Sequence, residues 1–232
     1  MKRIGLLGGM SWESSAEYYR MINEITRERL GGLHSADCLL RSVDFAPVEE
    51  LQRTDRWDEA GDLLASEARA LAGAGAELIV LCTNTMHKLA DRIVAAIDIP
   101  FVHIADTTAE AVRGAGLSTV GLLATAYTME QDFYVGRLRE RHGLDVLIPD
   151  AGDRRLVHDV IYRELCVGVV SDASRGEHRR IMGDLAERGA QGILLGCTEL
   201  DLLIGPQDSP VALFDTTRLH AESAVELALA GS

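Results

Sequence analysis

The chain has 232 residues, of which 47% are hydrophobic, so it is long enough for one large or two small domains with a proper core. Its net charge of −13 argues against nucleic acid and anionic membranes as partners, since both need a basic surface. No signal peptide and no apolar run of transmembrane length is evident, so we expect a cytoplasmic protein without a membrane partner.

Short apolar runs bounded by glycine, proline or polar residues predict the strands of buried parallel sheets. In chain order they cover 4–7, 39–43, 78–81, 101–104, 120–123, 193–195 and 211–214. Apolar residues at helical spacing predict helices over 63–71 and 86–97, and a last helix over 216–230. Strands alternating with helices predict an α/β fold, in which parallel sheets carry helices on both faces.

The chain contains an internal repeat. Residues 71–83 match 185–198 with one inserted residue, and both segments end in Cys-Thr. The Gly-Leu-Leu at 5–7 recurs at 121–123, and Asp-Thr-Thr occurs at both 106–108 and 215–217. The order of these markers predicts two similar α/β halves, 1–104 and 105–215. The terminal segment 216–232 is expected to pack back onto the first half.

Cys82 and Cys197 occupy the same point of the repeat. Each follows a predicted strand and precedes polar residues that are typical of a helix N-terminus. Ligands of parallel sheets bind at the carboxyl ends of strands, so both thiols are expected at binding sites. The helix dipole is expected to lower the pKa of each thiol. Cys38 and Cys166 have no such counterpart, and we interpret them as structural.

Two opposed thiols suit racemisation at a carbon next to a carboxylate. One thiolate removes the proton from one face while the other thiol returns a proton to the opposite face. The carbanion-like intermediate needs hydrogen-bond donors near the carboxylate, and Thr83, Asn84, Thr125 and Thr198 are the candidates.

Three segments, 6–12, 81–87 and 194–200, resemble the signature regions of the aspartate/glutamate racemase family. The resemblance covers essentially the whole chain. It implies two pseudo-symmetric α/β domains with the active site in the cleft between them, an amino-acid substrate, no cofactor or metal, and a homodimer. It implies Cys82 and Cys197 as catalytic residues. The substrate-binding residues that it implies, with Gln52 added from this sequence, are Met10, Ser11, Gln52, Thr83, Asn84, Thr85, Thr125, Thr198 and Glu199.

The sequence departs from the family at positions that concern the substrate side chain. Met10-Ser11 and Glu199 are closer to the aspartate racemase branch than to glutamate racemases. The arginine and lysine that hold the second carboxylate in that branch have no clear equivalents: Gln52 or Arg53 stands near the first position and Cys166 at the second. A broad-specificity racemase of neutral amino acids therefore remains open.

Other functions stay open on the sequence alone. Related enzymes of the superfamily include maleate isomerase, hydantoin racemase and a decarboxylase. A thiol hydrolase would use His87 or His103 beside Cys82. A cysteine phosphatase needs an arginine where this chain has Lys88. The non-catalytic alternative is a small-molecule-binding protein on the same scaffold.

Overall fold

A computed structural model of the chain describes residues 1–230. In these residues, eight strands form two four-stranded parallel sheets flanked by helices, which confirms the predicted α/β fold class. The chain divides into two compact units. The first comprises Met1–His103 and the chain from His220 onward, and the second comprises Ile104–Leu219.

The first unit contains one sheet with the strand order β2-β1-β3-β4. Its strands are β1 (Ile4–Gly8), β2 (Cys38–Ser42), β3 (Leu78–Leu81) and β4 (Phe101–Val102). Its helices are α1 (Trp12–Leu30), α2 (Phe45–Arg53), α3 (Trp57–Gly73) and α4 (Ala90–Val94), with a 3₁₀ helix at Thr85–Leu89. β1 and β3 are buried along their whole length because helices cover both faces of the sheet.

The second unit repeats this arrangement with the order β6-β5-β7-β8. Its strands are β5 (Thr119–Ala124), β6 (Asp145–Leu147), β7 (Gly192–Gly196) and β8 (Ala212–Asp215). Its helices are α5 (Ile104–Gly114), α6 (Ala126–Glu130), α7 (Asp132–His142), α8 (Ala151–Arg163), α9 (Asp172–Glu187) and α10 (Leu200–Leu203), with 3₁₀ helices at Leu165–Val167 and Pro206–Asp208.

The last helix, α11 (Thr216–Leu229), begins in the second unit, and from His220 onward it belongs to the first. Its apolar side chains Ala221, Ala224 and Val225 are fully buried in a core cluster with Ile22 and Leu78. The backbone N–H of Lys2 also donates to the carbonyl of Ala228. The end of the chain therefore completes the core of the first unit. Among residues 1–230, no helix has the length and apolar character needed to cross a membrane.

The structure corrects several predicted elements. The strand β6 was not predicted, because three residues at a sheet edge leave too short an apolar run. The predicted strand 39–43 is β2, whose last three residues are exposed because it lies at the edge of its sheet. The predicted strand 101–104 ends at Val102, and Ile104 already begins α5. The predicted helix 86–97 is a 3₁₀ turn followed by the five-residue α4.

Candidate active site

Cys82 lies directly after β3, at the carboxyl end of the first sheet. Its backbone N–H donates to the carbonyl of Leu7 at 2.9 Å, which continues the pairing between β1 and β3. Its side chain is completely buried, and its thiol lies 3.8 Å from the carbonyl oxygen of Val80. The sheet itself therefore fixes the position of this thiol.

The loop after β1 runs beside Cys82. A β carbon added at Gly8 would lie 3.5 Å from the β carbon of Cys82. The next residue, Gly9, has a φ of +93°, a conformation that side-chain-bearing residues rarely adopt. The Ser15 hydroxyl accepts from the N–H of Gly9 at 2.7 Å and donates to the carbonyl of Ser11 at 2.9 Å. This loop contains two predicted substrate-binding residues, Met10, which is buried, and Ser11, which is half-buried and caps α1.

The residues that follow Cys82 form a buried polar turn. Thr83, Asn84 and Thr85 are each less than 10% exposed. The Nδ1 atom of His87 lies 2.7 Å from the carbonyl oxygen of Thr83. Because a carbonyl oxygen only accepts, Nδ1 of His87 bears the hydrogen and donates it. His87 therefore stabilises the turn that carries Thr83, rather than directing Nδ1 towards the Cys82 thiol as a base.

Three further candidate residues, Gln52, Arg53 and His103, lie in the first unit. Gln52, on α2, is 4% exposed, whereas the adjacent Arg53 lies at the surface with a side chain that is 63% exposed. His103 is buried, and its ring centroid lies 4.7 Å from that of His87. Of the pair Gln52 and Arg53, the fold therefore buries the neutral side chain.

Cys197 occupies the equivalent position in the second unit, directly after β7. Its thiol is half-buried and donates to a carboxylate oxygen of Glu199 at 2.9 Å. Glu199 itself is 7% exposed, and Thr198 between them is half-buried. The pairing of Ala124 with Gly196 brings the end of β5 beside the end of β7, so that Thr125 and Cys197 follow neighbouring strand ends. Thr125 is buried, and its hydroxyl lies 3.2 Å from that of Thr128.

The expectation that both thiols have lowered pKa values is wrong. Burial raises the pKa of Cys82, and the charge of Cys38 raises it further. Burial likewise raises the pKa of Cys197 well above its usual range, and the carboxylate of Glu199 adds to the effect. The helices after the two cysteines are a 3₁₀ turn and the four-residue α10, which are too short for a dipole that outweighs desolvation.

Two cysteines interpreted as structural lie near enough to the candidate catalytic pair to raise its pKa values when they are ionised. The charge of Cys38, at the start of β2, raises the pKa of Cys82, and that of Cys166 raises the pKa of Cys197. These neighbours could not be predicted, because each lies far from its partner along the chain. No cluster of three or more His, Cys, Asp or Glu side chains in the part of the chain that the structure describes is arranged to hold a metal ion.

Comparison with known proteins places the chain in a family. The model of the Asp/Glu/Hydantoin racemase family matches residues 7–224. A candidate Asp/Glu racemase from Yersinia pestis is 53% identical, with a TM-score of 0.94 over 99% of this chain and 100% of that one. An aspartate racemase homologue from Pyrococcus horikoshii is 34% identical, with a TM-score of 0.86 over 98% and 99% of the two chains. The broad specificity amino-acid racemase RacX of Bacillus subtilis is 20% identical over 98% of both chains.

The chain therefore belongs to the Asp/Glu/Hydantoin racemase family, as the three sequence motifs predict. These matches also confirm the predicted enzyme class, a racemase.

Proposed function

We propose that this protein interconverts L- and D-amino acids, with Cys82 and Cys197 exchanging protons with opposite faces of the α carbon. The observation that supports this most strongly is that the two thiols occupy equivalent positions in the two sheets. Each follows the strand that pairs with the first strand of its own sheet, and each precedes a threonine. The two-thiol mechanism requires the substrate to lie between them.

In the proposed reaction, a thiolate removes the α hydrogen as a proton, and the electron pair of the C–H bond remains on the substrate. The carbanion is delocalised into the adjacent carboxylate, and the opposite thiol then donates its proton to the other face. Thr83, Asn84, Thr85, Thr125 and Thr198, with the backbone of Met10 and Ser11, are the proposed donors to the carboxylate. We propose that the protein works without pyridoxal phosphate or metal, as a cytoplasmic homodimer.

For the substrate side chain, we propose breadth rather than strict specificity for aspartate. Glu199 and Cys166 act on the thiol of Cys197, and a carboxylate at this position repels a second carboxylate on the substrate. In the first unit, neutral Gln52 is buried where Arg53 is not. A relative named as a broad specificity amino-acid racemase agrees with this proposal.

The mechanism is tested by replacing each thiol alone. Cys82→Ser and Cys197→Ser are each expected to lower kcat for racemisation by a factor of about 10² or more, because a hydroxyl is a far weaker acid than a thiol. Chiral chromatography of the product measures the rate, and circular dichroism checks the fold. Cys38→Ser is the comparison variant: it removes a half-buried thiol near Cys82 but leaves both candidate catalytic thiols in place, so most of kcat should be retained. Full activity in either Cys82→Ser or Cys197→Ser would disprove the two-thiol mechanism.

A further inference from the structure

The two halves of the repeat carry chemically different residues at the second position after the cysteine. The first Cys-Thr is followed by the amide Asn84, and the second by the carboxylate Glu199. In the second unit this carboxylate accepts a hydrogen bond from the Cys197 thiol at 2.9 Å. In the first unit the Cys82 thiol instead lies 3.8 Å from a backbone carbonyl, which is neutral. The hydrogen-bond partner of one thiol is thus a buried carboxyl group, and that of the other is a backbone carbonyl.

We propose that Glu199 holds the proton on Cys197, so that Cys197 is the thiol that donates a proton in the resting enzyme. This inference rests on the proposed racemase function and adds an asymmetry to it. It makes Glu199 a residue that sets the protonation of a catalytic group, rather than one that binds the substrate.

The physical reason is that a thiolate and a carboxylate at this distance repel each other strongly. The repulsion is large because Glu199 is 7% exposed and water screens the two charges poorly. The thiol of Cys197 is therefore favoured over the thiolate, in agreement with the raised pKa of Cys197. The other titratable group whose charge acts on this thiol is Cys166, in the 3₁₀ helix Leu165–Val167, and its charge has the same sign of effect.

The proposal fixes the chemistry of each direction. When Cys197 acts as the acid, its S–H bond breaks, the electron pair stays on sulfur, and the proton forms the new C–H bond at the α carbon. When the substrate is of the opposite hand, Cys197 must first lose its proton to solvent and Cys82 must take one up, so that Cys197 is the base and Cys82 the acid. The two forms carry the same number of protons, so the pH dependence of racemisation does not distinguish them, and a reaction that uses only one thiol is needed.

Elimination from β-chloroalanine separates the two thiols, because it needs only one proton abstraction. A thiolate removes the α hydrogen, chloride leaves the β carbon with its bonding pair, and the aminoacrylate reacts with water to give pyruvate and ammonia. Each enantiomer presents its α hydrogen to one thiol. The enantiomer whose elimination is lost in Cys197→Ser and retained in Cys82→Ser identifies the Cys197 hand.

The decisive variant is Glu199→Gln. We expect the rising limb of the pH–rate profile for the Cys197 hand to move down by about one pH unit or more, since a neighbouring negative charge is lost. The profile for the Cys82 hand should stay within about 0.3 of a unit of the wild type, and Glu199→Asp should restore the original limb. Glu187→Gln, an exposed carboxylate of α9 changed in the same way, is the control. The proposal would be overturned if the rising limb for the Cys197 hand did not move in Glu199→Gln, or if the limbs for both enantiomers moved equally.

A measurement without turnover separates this proposal from the proposed function. Alkylation of Cys197 by iodoacetamide, followed peptide by peptide in mass spectra, reports thiolate formation directly. In Glu199→Gln its pH midpoint should fall by about one unit relative to wild type. If wild type eliminated neither enantiomer, the racemase proposal would fail, and the alkylation midpoint would still decide the role of Glu199. An unchanged midpoint would refute that role.

Discussion

Gly8 sits at the point where β1, the first loop and Cys82 meet. A β carbon there would overlap the Ser15 hydroxyl and come within 2.9 Å of the Ser15 β carbon. Ser15 would have to move, which would remove its hydrogen bond to the N–H of Gly9. We therefore predict that Gly8→Ala lowers the free energy of unfolding by about 1–3 kcal/mol, as overpacking of cores does. It should also lower racemase activity, because the added carbon lies against Cys82.

Urea unfolding and a racemase assay of the same preparation measure both effects of Gly8→Ala. Gly176→Ala is the matched control, because this glycine is an exposed residue of α9 and an added β carbon would meet no atom within 4 Å. Alanine has the higher helix propensity, so the control should be neutral or more stable by up to about 1 kcal/mol. Equal stability and activity in the two variants would show that the close packing of Ser15 against the backbone does not require glycine at position 8.

The sequence predicted the places of the candidate residues in the fold better than their properties. Cys82 and Cys197 were predicted as a pair because the internal repeat matches them to each other. Their pKa direction could not be predicted, because it depends on burial and on the length of the following helix. The bond between Cys197 and Glu199 depends on the rotamers of both side chains, which spacing along the chain does not determine.

At the scale of elements, α11 is held to the first unit through His220. The carbonyl of Val102 lies 2.8 Å from Nε2, so Nε2 donates. The Tyr18 hydroxyl lies 2.8 Å from Nδ1 and donates to it. Complete burial lowers the pKa of His220 to about 4, so the ring is neutral. The ring of His87, with its centroid 5.6 Å away, is the other titratable group that faces it.

This pKa predicts acid destabilisation. The unfolded chain binds a proton at His220 near pH 6.5, whereas the folded protein does so only near pH 4. Stability is therefore lost as pH falls through this window, by about 3 kcal/mol from this group. We expect His220→Gln to be less stable than wild type at pH 7 but to lose less stability on acidification. Urea unfolding at about pH 7 and pH 5 measures the difference. His34→Gln changes an exposed histidine and is the control: its free energy of unfolding should fall on acidification as much as that of the wild type. If the free energy of unfolding of His220→Gln fell by the same amount, the prediction would be contradicted.

The elements were predictable where a buried pattern is long enough to be seen. β1, β3, β5 and β7 are continuous apolar runs because helices cover both faces, and all four were predicted. β6 was missed because its three residues carry one buried side chain. The segment 86–97 has helical periodicity, and yet its first turn is 3₁₀. The two helix types differ little in apolar spacing over so few residues.

At the scale of the whole molecule, the repeat in the sequence corresponds to two sheets with the same strand order. Gly5 and Gly121 show why the markers recur. A β carbon on either would come within 3.0 Å of a side chain on the neighbouring strand, Ile79 or Ile193. The same packing requirement therefore selects glycine at the same place in each sheet. The sequence predicted α11 as a helix but could not establish that it packs onto the first unit, because the surface that a helix covers depends on tertiary structure.

The most direct test of the central claim is proton NMR of the α-hydrogen signal in deuterated water, without added cofactor. The wild-type protein is incubated with L-aspartate, L-glutamate and a panel of neutral L-amino acids. The two-thiol mechanism predicts loss of the signal together with formation of the D enantiomer, and the neutral members should react at least as well as aspartate. Absence of exchange with every amino acid would contradict the proposed function. Exchange that proceeds unchanged when both Cys82 and Cys197 are serine would contradict its mechanism.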